Sequence, residues 1–161
     1  MEGWTDFYVA EVGAAGALAG LLVVAISINI QRILDYPSLP GRAAQTLITI
    51  AAALVIASLA LMPNQPQAYF GWEAVLAGVI VAATGAREAV RTASIRKPDD
   101  PLGWIIIPFA TSALAFLPNL IGGGLLIAGS ESGLYWVGAA VILSFLVTLQ
   151  NGWVLLIEIL R

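Results

Sequence analysis

The sequence contains no cysteine and no histidine. Disulfides, thiolate nucleophiles, imidazole bases and the commonest ligands of zinc, copper and haem iron are therefore all excluded. The aspartates do not pair at membrane depth, as an intramembrane aspartyl protease would require, and the glycines form neither a phosphate-binding Gly-Lys loop nor a dinucleotide fingerprint. We expect no enzymatic activity, no metal and no cofactor.

Charged residues are also scarce, at 11% of the chain, against about 25% in an ordinary soluble domain. The net charge of -3 reflects few basic residues rather than an acidic tract, and nucleic acid is not expected as a partner. Hydrophobic residues make up 60% of the chain, more than one soluble core would bury. The expected partner is the lipid bilayer, and residues 1–161 are expected to form a single transmembrane domain.

Five apolar runs are long enough to cross a bilayer, which takes about 20 residues at 1.5 Å rise each. They cover residues 7–30, 43–62, 70–90, 104–129 and 134–157. The sequence therefore predicts an all-α integral membrane protein with five transmembrane helices. Its size, short loops and alanine- and glycine-rich spans are typical of a multi-pass protein of the cell membrane, specifically the bacterial inner membrane.

The basic residues predict the orientation, because lysine and arginine accumulate in short cytoplasmic loops. With five spans, all seven fall on one side: Arg32, Arg42, Arg87, Arg91, Arg96, Lys97 and Arg161. The N-terminus is thus expected outside and the C-terminus in the cytoplasm. Tryptophan and tyrosine residues cluster near the span ends, as amphipathic rings at the headgroup level do.

The first span carries a seam of small residues, formed by Gly13, Gly16 and Gly20. Without side chains in the way, another backbone can approach closely and gain dispersion contacts. The pattern predicts helix packing. It leaves open whether the partner helix belongs to the same subunit or to another one.

A second feature of this span is the alignment of Glu11, Leu18, Leu22 and Asn29 along one line at 100° per residue. If copies of the helix surrounded an axis with this line inward, the pore would have an outer carboxylate ring, apolar constrictions and an inner amide ring. These four residues are the pore-lining candidates. In the alternative interpretation, Glu11 reaches the outer headgroups or pairs with another helix end.

The fourth span contains residues that weaken a helix, and we expect a kink or break there. The candidates are Pro118, Asn119, Gly122, Gly123 and Gly124. A kink would be structural, whereas a discontinuous helix would form a site for a solute or ion.

The fifth span has a polar stripe at helical spacing, formed by Ser144, Thr148 and Asn151. Polar side chains at this depth usually bond across to another helix, and a polar path is the alternative.

Two functional hypotheses follow. The first is a homo-oligomeric pore or channel for ions or small solutes, lined by the first helix. The alternative is a non-conducting accessory or scaffold subunit that binds and modulates another membrane protein through its small-residue seams.

Overall fold

The computed structural model describes residues 3–95 and 103–156, with the side chains of residues 3–95 and 106–154. The described helices are α1 (Thr5–Ile28), α2 (Ile30–Asp35), α3 (Leu39–Leu59), α4 (Gln67–Ile95), α5 (Gly103–Ile127) and α6 (Gly133–Leu156). No strand occurs in these ranges. The predictions made for Arg96, Lys97 and Arg161 lie outside the described residues.

Five of the six helices, all except α2, are long and apolar enough to cross a membrane. This confirms the prediction of an all-helical chain with five long apolar helices, as expected of a multi-pass membrane protein. The helices differ from the apolar runs mainly at their polar ends. Helix α3 begins at Leu39 rather than at residue 43, with Pro40 in its first turn, a position that needs no intrahelical N–H bond.

The short helix α2 was not predicted. Helix α1 ends at Ile28 because Asn29 leaves helical geometry, with φ -101° and ψ 11°. The Asn29 side chain donates to the Ala25 carbonyl at 3.0 Å, so an amide competes with the backbone at this point. The chain then forms α2, which buries Ile33 beside Ala43.

Helices α3, α4, α5 and α6 form a four-helix bundle, and α1 packs on its outside. Helix α4 packs most extensively on α5, α5 on α6, and α3 lies against both α4 and α6. Helix α1 contacts α3 and, less extensively, α6. One side of α1 is therefore covered by the bundle.

The two ends of the bundle differ in charge. At one end, which we call the basic end, lie Arg32, Arg42, Arg87 and Arg91. At the far end, the start of α1 meets the start of α6, with the rings of Trp4 and Tyr135 4.8 Å apart. The largest apolar cluster fills this half of the bundle.

Helix α5 ends in a Schellman motif that turns the chain toward α6. Gly129 has φ +83°, and the amides of Gly129 and Ser130 donate to the carbonyls of Leu126 and Leu125 at 3.0 and 2.9 Å. A glycine suits this left-handed position because a Cβ there would be strained.

Candidate functional site

The line of residues predicted to face a pore lies on the side of α1 that packs against its own bundle. Ala15 and Leu22 are buried in a cluster with Ile50 of α3, and Leu18 packs against the same cluster. Leu22 also reaches α6, because its Cδ2 would lie 3.2 Å from a Cβ added at Gly152. A water path along this line would therefore run between α1 and the bundle of the same chain.

The two polar residues of that line have different environments. Glu11 is half-buried, and its Oε2 atom is buried without a hydrogen-bond partner in the described chain. The hydroxyl of Tyr8, one helical turn earlier, is also buried and has no hydrogen-bond partner among the described residues. Asn29, by contrast, bonds to its own helix at the start of the α1–α2 junction.

The glycine seam of α1 faces away from the rest of the chain. A Cβ built at Gly13, Gly16 or Gly20 would meet no atom of the other described helices within 4 Å. All three glycines are exposed. Across an apolar stretch of 18 residues taken from each long helix, only 11% of the residues of α1 are buried, against 39% to 50% in the other four helices. Packing of the seam within one subunit is therefore not observed.

Of the kink or break expected in the fourth span, the break does not occur, because α5 continues as one helix through Pro108 and Pro118. Asn119 donates from Nδ2 to the Ala115 carbonyl at 3.1 Å, which strengthens the turn around Pro118. Helix α5 also packs against α4 on one side and against α6 on the other. The discontinuous helix, which was the alternative to a kink, is therefore not observed, and the kink itself stays a prediction.

The three glycines that follow in α5 have different surroundings. A Cβ at Gly123 would lie 2.5 Å from the Gly71 carbonyl oxygen of α4, and one at Gly122 would lie 2.8 Å from the Gly133 carbonyl oxygen of α6. Gly124 has open space beside it. Gly122 and Gly123 thus permit close helix crossings rather than loosening the helix.

The side chains of the polar stripe of α6 differ in their hydrogen bonds, some of which stay within the helix while others reach another helix. Ser144 donates to the Ala140 carbonyl of its own helix at 2.7 Å, while the Thr148 hydroxyl is buried without a partner among the described atoms. Asn151 bonds across to α3, because its Oδ1 accepts from Nε and Nη2 of Arg42 at 3.3 and 3.1 Å. Asn151 therefore fixes the guanidinium at the basic end.

Arg42 borders a cavity of about 480 Å³ at the basic end, formed by residues of α3, α4, α5 and the α2–α3 connection. Gln45, one turn along α3, donates to the Ser112 hydroxyl of α5. Gly85 leaves room for this bond, since a Cβ there would lie 3.1 Å from Nε2 of Gln45. A second cavity of about 590 Å³ shares Gln45 and Glu88 with the first.

Glu88 of α4 lines both cavities. Its Oε1 atom is buried and has no hydrogen-bond partner within the part of the chain described. Gly41 makes room for the carboxylate, because a Cβ at position 41 would overlap it. The cavity thus combines a guanidinium held by Asn151 with a carboxylate oxygen that lacks a donor.

Sequence reasoning did not identify this cavity. Arg42 and Glu88 lie at the ends of apolar runs, where charged side chains are usually solvated, so neither residue indicates a buried site. Gln45 carried the clearest signal, because it is an amide inside the second apolar run. Its partner Ser112 could not be inferred from spacing, since the two residues belong to different helices.

No group of three or more His, Cys, Asp or Glu side chains that could hold a metal occurs within residues 3–95 and 103–156. The chain matches no protein-family model, no curated protein and no solved structure in comparisons with known proteins.

Proposed function

We propose that this protein is a non-conducting scaffold subunit of the membrane that self-associates through the glycine seam of α1. The observation that carries the proposal is the exposure of Gly13, Gly16 and Gly20 on a helix whose other side is packed. At 100° per residue, the seam lies roughly 130° around the helix from the buried face. One face of α1 thus packs on its own bundle and the other is available to a second helix.

The contrast with the other glycines supports this interpretation. Gly71, Gly78, Gly122, Gly123 and Gly133 all lie where a Cβ would come within 3.0 Å of a neighbouring helix. Lipid chains are as apolar as leucine, so helices in a bilayer associate through close packing rather than through hydrophobic burial. A seam that lets two backbones approach closely provides that packing.

A second copy of the chain is the partner that best fits this face. Between Asp6 and Arg32 the only charged residue is Glu11, which lies on the bundle side of α1. The seam therefore offers no charge with which to select a different protein. Two identical glycine faces are self-complementary about a two-fold axis, the commonest symmetry of homo-oligomers.

The proposed orientation has the basic end in the cytoplasm and the start of α1 outside. It rests on the arginines of the described chain, which gather at one end of the bundle, as the positive-inside rule requires of cytoplasmic loops. The cell membrane, specifically a bacterial inner membrane, remains the proposed location.

A channel lined by α1 is the less favoured function. Leu22 is buried in a cluster with Ile50 of the same chain, and Leu18 packs against that cluster, which favours a line turned toward its own bundle over one that faces an axis between copies. In the scaffold interpretation, wild-type protein in liposomes should pass no ions. Leu22→Ser should leave that result unchanged, because the residue lies between α1, α3 and α6 of one chain, where it borders a cavity of about 270 Å³ rather than an axis between copies.

The test of association is the mass of the protein in lipid nanodiscs, measured by native mass spectrometry or by counting photobleaching steps. Wild type should be dimeric or larger, and Gly16→Leu with Gly20→Leu should be monomeric and still folded. The matched control is Ala10→Leu with Ala14→Leu, which adds bulk to exposed positions of α1 away from the seam. A monomeric wild type would refute self-association, and co-purification with a different membrane protein would identify the accessory alternative instead.

A further inference from the structure

The cavity at the basic end combines charges of both signs in a way that self-association does not explain. Arg42 borders the first cavity, Arg87 and Arg91 border the second, and Glu88 borders both. From these contacts we infer that the site binds a zwitterion, a phosphate and an ammonium joined by a short linker, as in a phosphoethanolamine group.

The anionic part of the ligand follows from Arg42. Asn151 accepts from Nε and Nη2, which positions the guanidinium and uses two of its five N–H donors. The remaining donors suit a phosphate, which arginine binds through parallel hydrogen bonds. The Gln45–Ser112 bond stiffens the adjoining wall between α3 and α5.

The cationic part follows from Glu88. Its buried Oε1 has no donor in the described residues, and a buried acceptor left unpaired is destabilising. A ligand ammonium would supply the missing hydrogen bond. Gly41, by leaving space for the carboxylate, allows it to occupy this position.

Simpler ligands fit less well. A free inorganic anion would be repelled by Glu88 and would leave its oxygen unpaired. A lone cation would face the guanidinium of Arg42 in the first cavity, or those of Arg87 and Arg91 in the second. A molecule with both charges can pair with Arg42 and with Glu88 at once. A cavity of about 480 Å³ lies within the range of small-ligand pockets, roughly 300–1,000 Å³.

The same chemistry is available from a phospholipid headgroup and from a free phosphorylated amine. The rim of the cavity includes Tyr36 and Ile107, both exposed by more than half, which suits the glycerol and acyl portion of a lipid. Basic pockets between transmembrane helices on the cytoplasmic side commonly bind lipid headgroups. The experiment therefore compares the two sources.

Purified protein in detergent would be titrated by calorimetry with short-chain phosphatidylethanolamine, phosphatidylglycerol with the same acyl chains, and O-phosphoethanolamine. Wild type should bind phosphatidylethanolamine at least tenfold more tightly than phosphatidylglycerol. Glu88→Gln should remove most of this preference. Binding of O-phosphoethanolamine with similar affinity would identify the ligand as a free solute, and its failure to bind would identify the lipid.

Glu73→Gln is the matched control, because Glu73 lies on the same helix at the far end and accepts from Gln65 at 2.6 Å. It should bind as wild type does. Gly41→Ala provides a second probe, since its methyl group would displace the Glu88 carboxylate without changing charge, and it should also weaken phosphatidylethanolamine binding. Equal affinity for the two lipids, an unchanged preference in folded Glu88→Gln and Gly41→Ala, or no binding of any probe would overturn the inference.

Discussion

The crossing of α4 and α5 allows a sharp test of the packing, because two adjacent glycines of α5 have opposite surroundings. A Cβ at position 123 would lie 2.5 Å from the Gly71 carbonyl oxygen, 2.7 Å from Cγ2 of Val75 and 2.9 Å from the Val75 amide nitrogen. Two of these three atoms are backbone and cannot move aside without shifting α4. At Gly124 the same Cβ would meet no atom of the neighbouring described helices within 4 Å.

Gly123→Ala and Gly124→Ala make the same chemical change in the same helix. Each gains the helix propensity of alanine over glycine, about 0.5–1 kcal/mol. Only Gly123→Ala adds the cost of overpacking, typically about 1–3 kcal/mol. The propensity gain cancels in the comparison, so Gly123→Ala should be less stable than Gly124→Ala by about 1–3 kcal/mol.

The assay is reversible unfolding from mixed micelles with increasing SDS, followed by circular dichroism. Gly124→Ala should unfold at or slightly above the wild-type midpoint, and Gly123→Ala clearly below it. If the two variants unfolded at the same midpoint, the close approach of α4 and α5 at this crossing would be refuted.

Two further predictions concern the basic end and the orientation. Asn151→Ala should lower the free energy of unfolding by about 1–3 kcal/mol, because it removes the acceptor of two hydrogen bonds from the charged Arg42. Asn29→Ala loses only a hydrogen bond within its own helical turn, so it should lower the free energy of unfolding by less in the same SDS titration. In this cysteine-free chain, Pro66→Cys should react with a membrane-impermeant maleimide added to intact cells, and Ser94→Cys should react only after lysis. Labelling of Ser94→Cys in intact cells would show that the orientation is the reverse of the proposed one.

The five long helices could be predicted from the sequence because each rests on a local property, an apolar run long enough to span a bilayer. Helix α2 could not. Its six residues are too few to form such a run, and its start depends on the geometry of Asn29. Whether α5 is kinked or broken near Pro118 could not be decided from the sequence for a related reason, since the contacts of Gly122 and Gly123 with α6 and α4 are made by residues far apart in the chain.

The glycine seam of α1 was visible in the sequence, but the side to which it points was not. Helix α1 is apolar almost all round, so its pattern of residues gives no preferred buried face. The same ambiguity made the alignment of Leu18 and Leu22 resemble a pore lining. The cavity was missed because it depends on pairs from different helices, such as Arg42 and Asn151, which are 109 residues apart.

The central claim, that two copies meet at the seam of α1, is tested most directly by cross-linking in native membranes without detergent. Gly16→Cys would introduce the only thiol in the chain, and Ala14→Cys would introduce one at an exposed position to the side of the seam. On mild oxidation, Gly16→Cys should form a disulfide-linked dimer of twice the 16.8 kDa chain mass, and Ala14→Cys should remain largely monomeric. Absence of the dimer with Gly16→Cys, or equal cross-linking at both positions, would contradict the account.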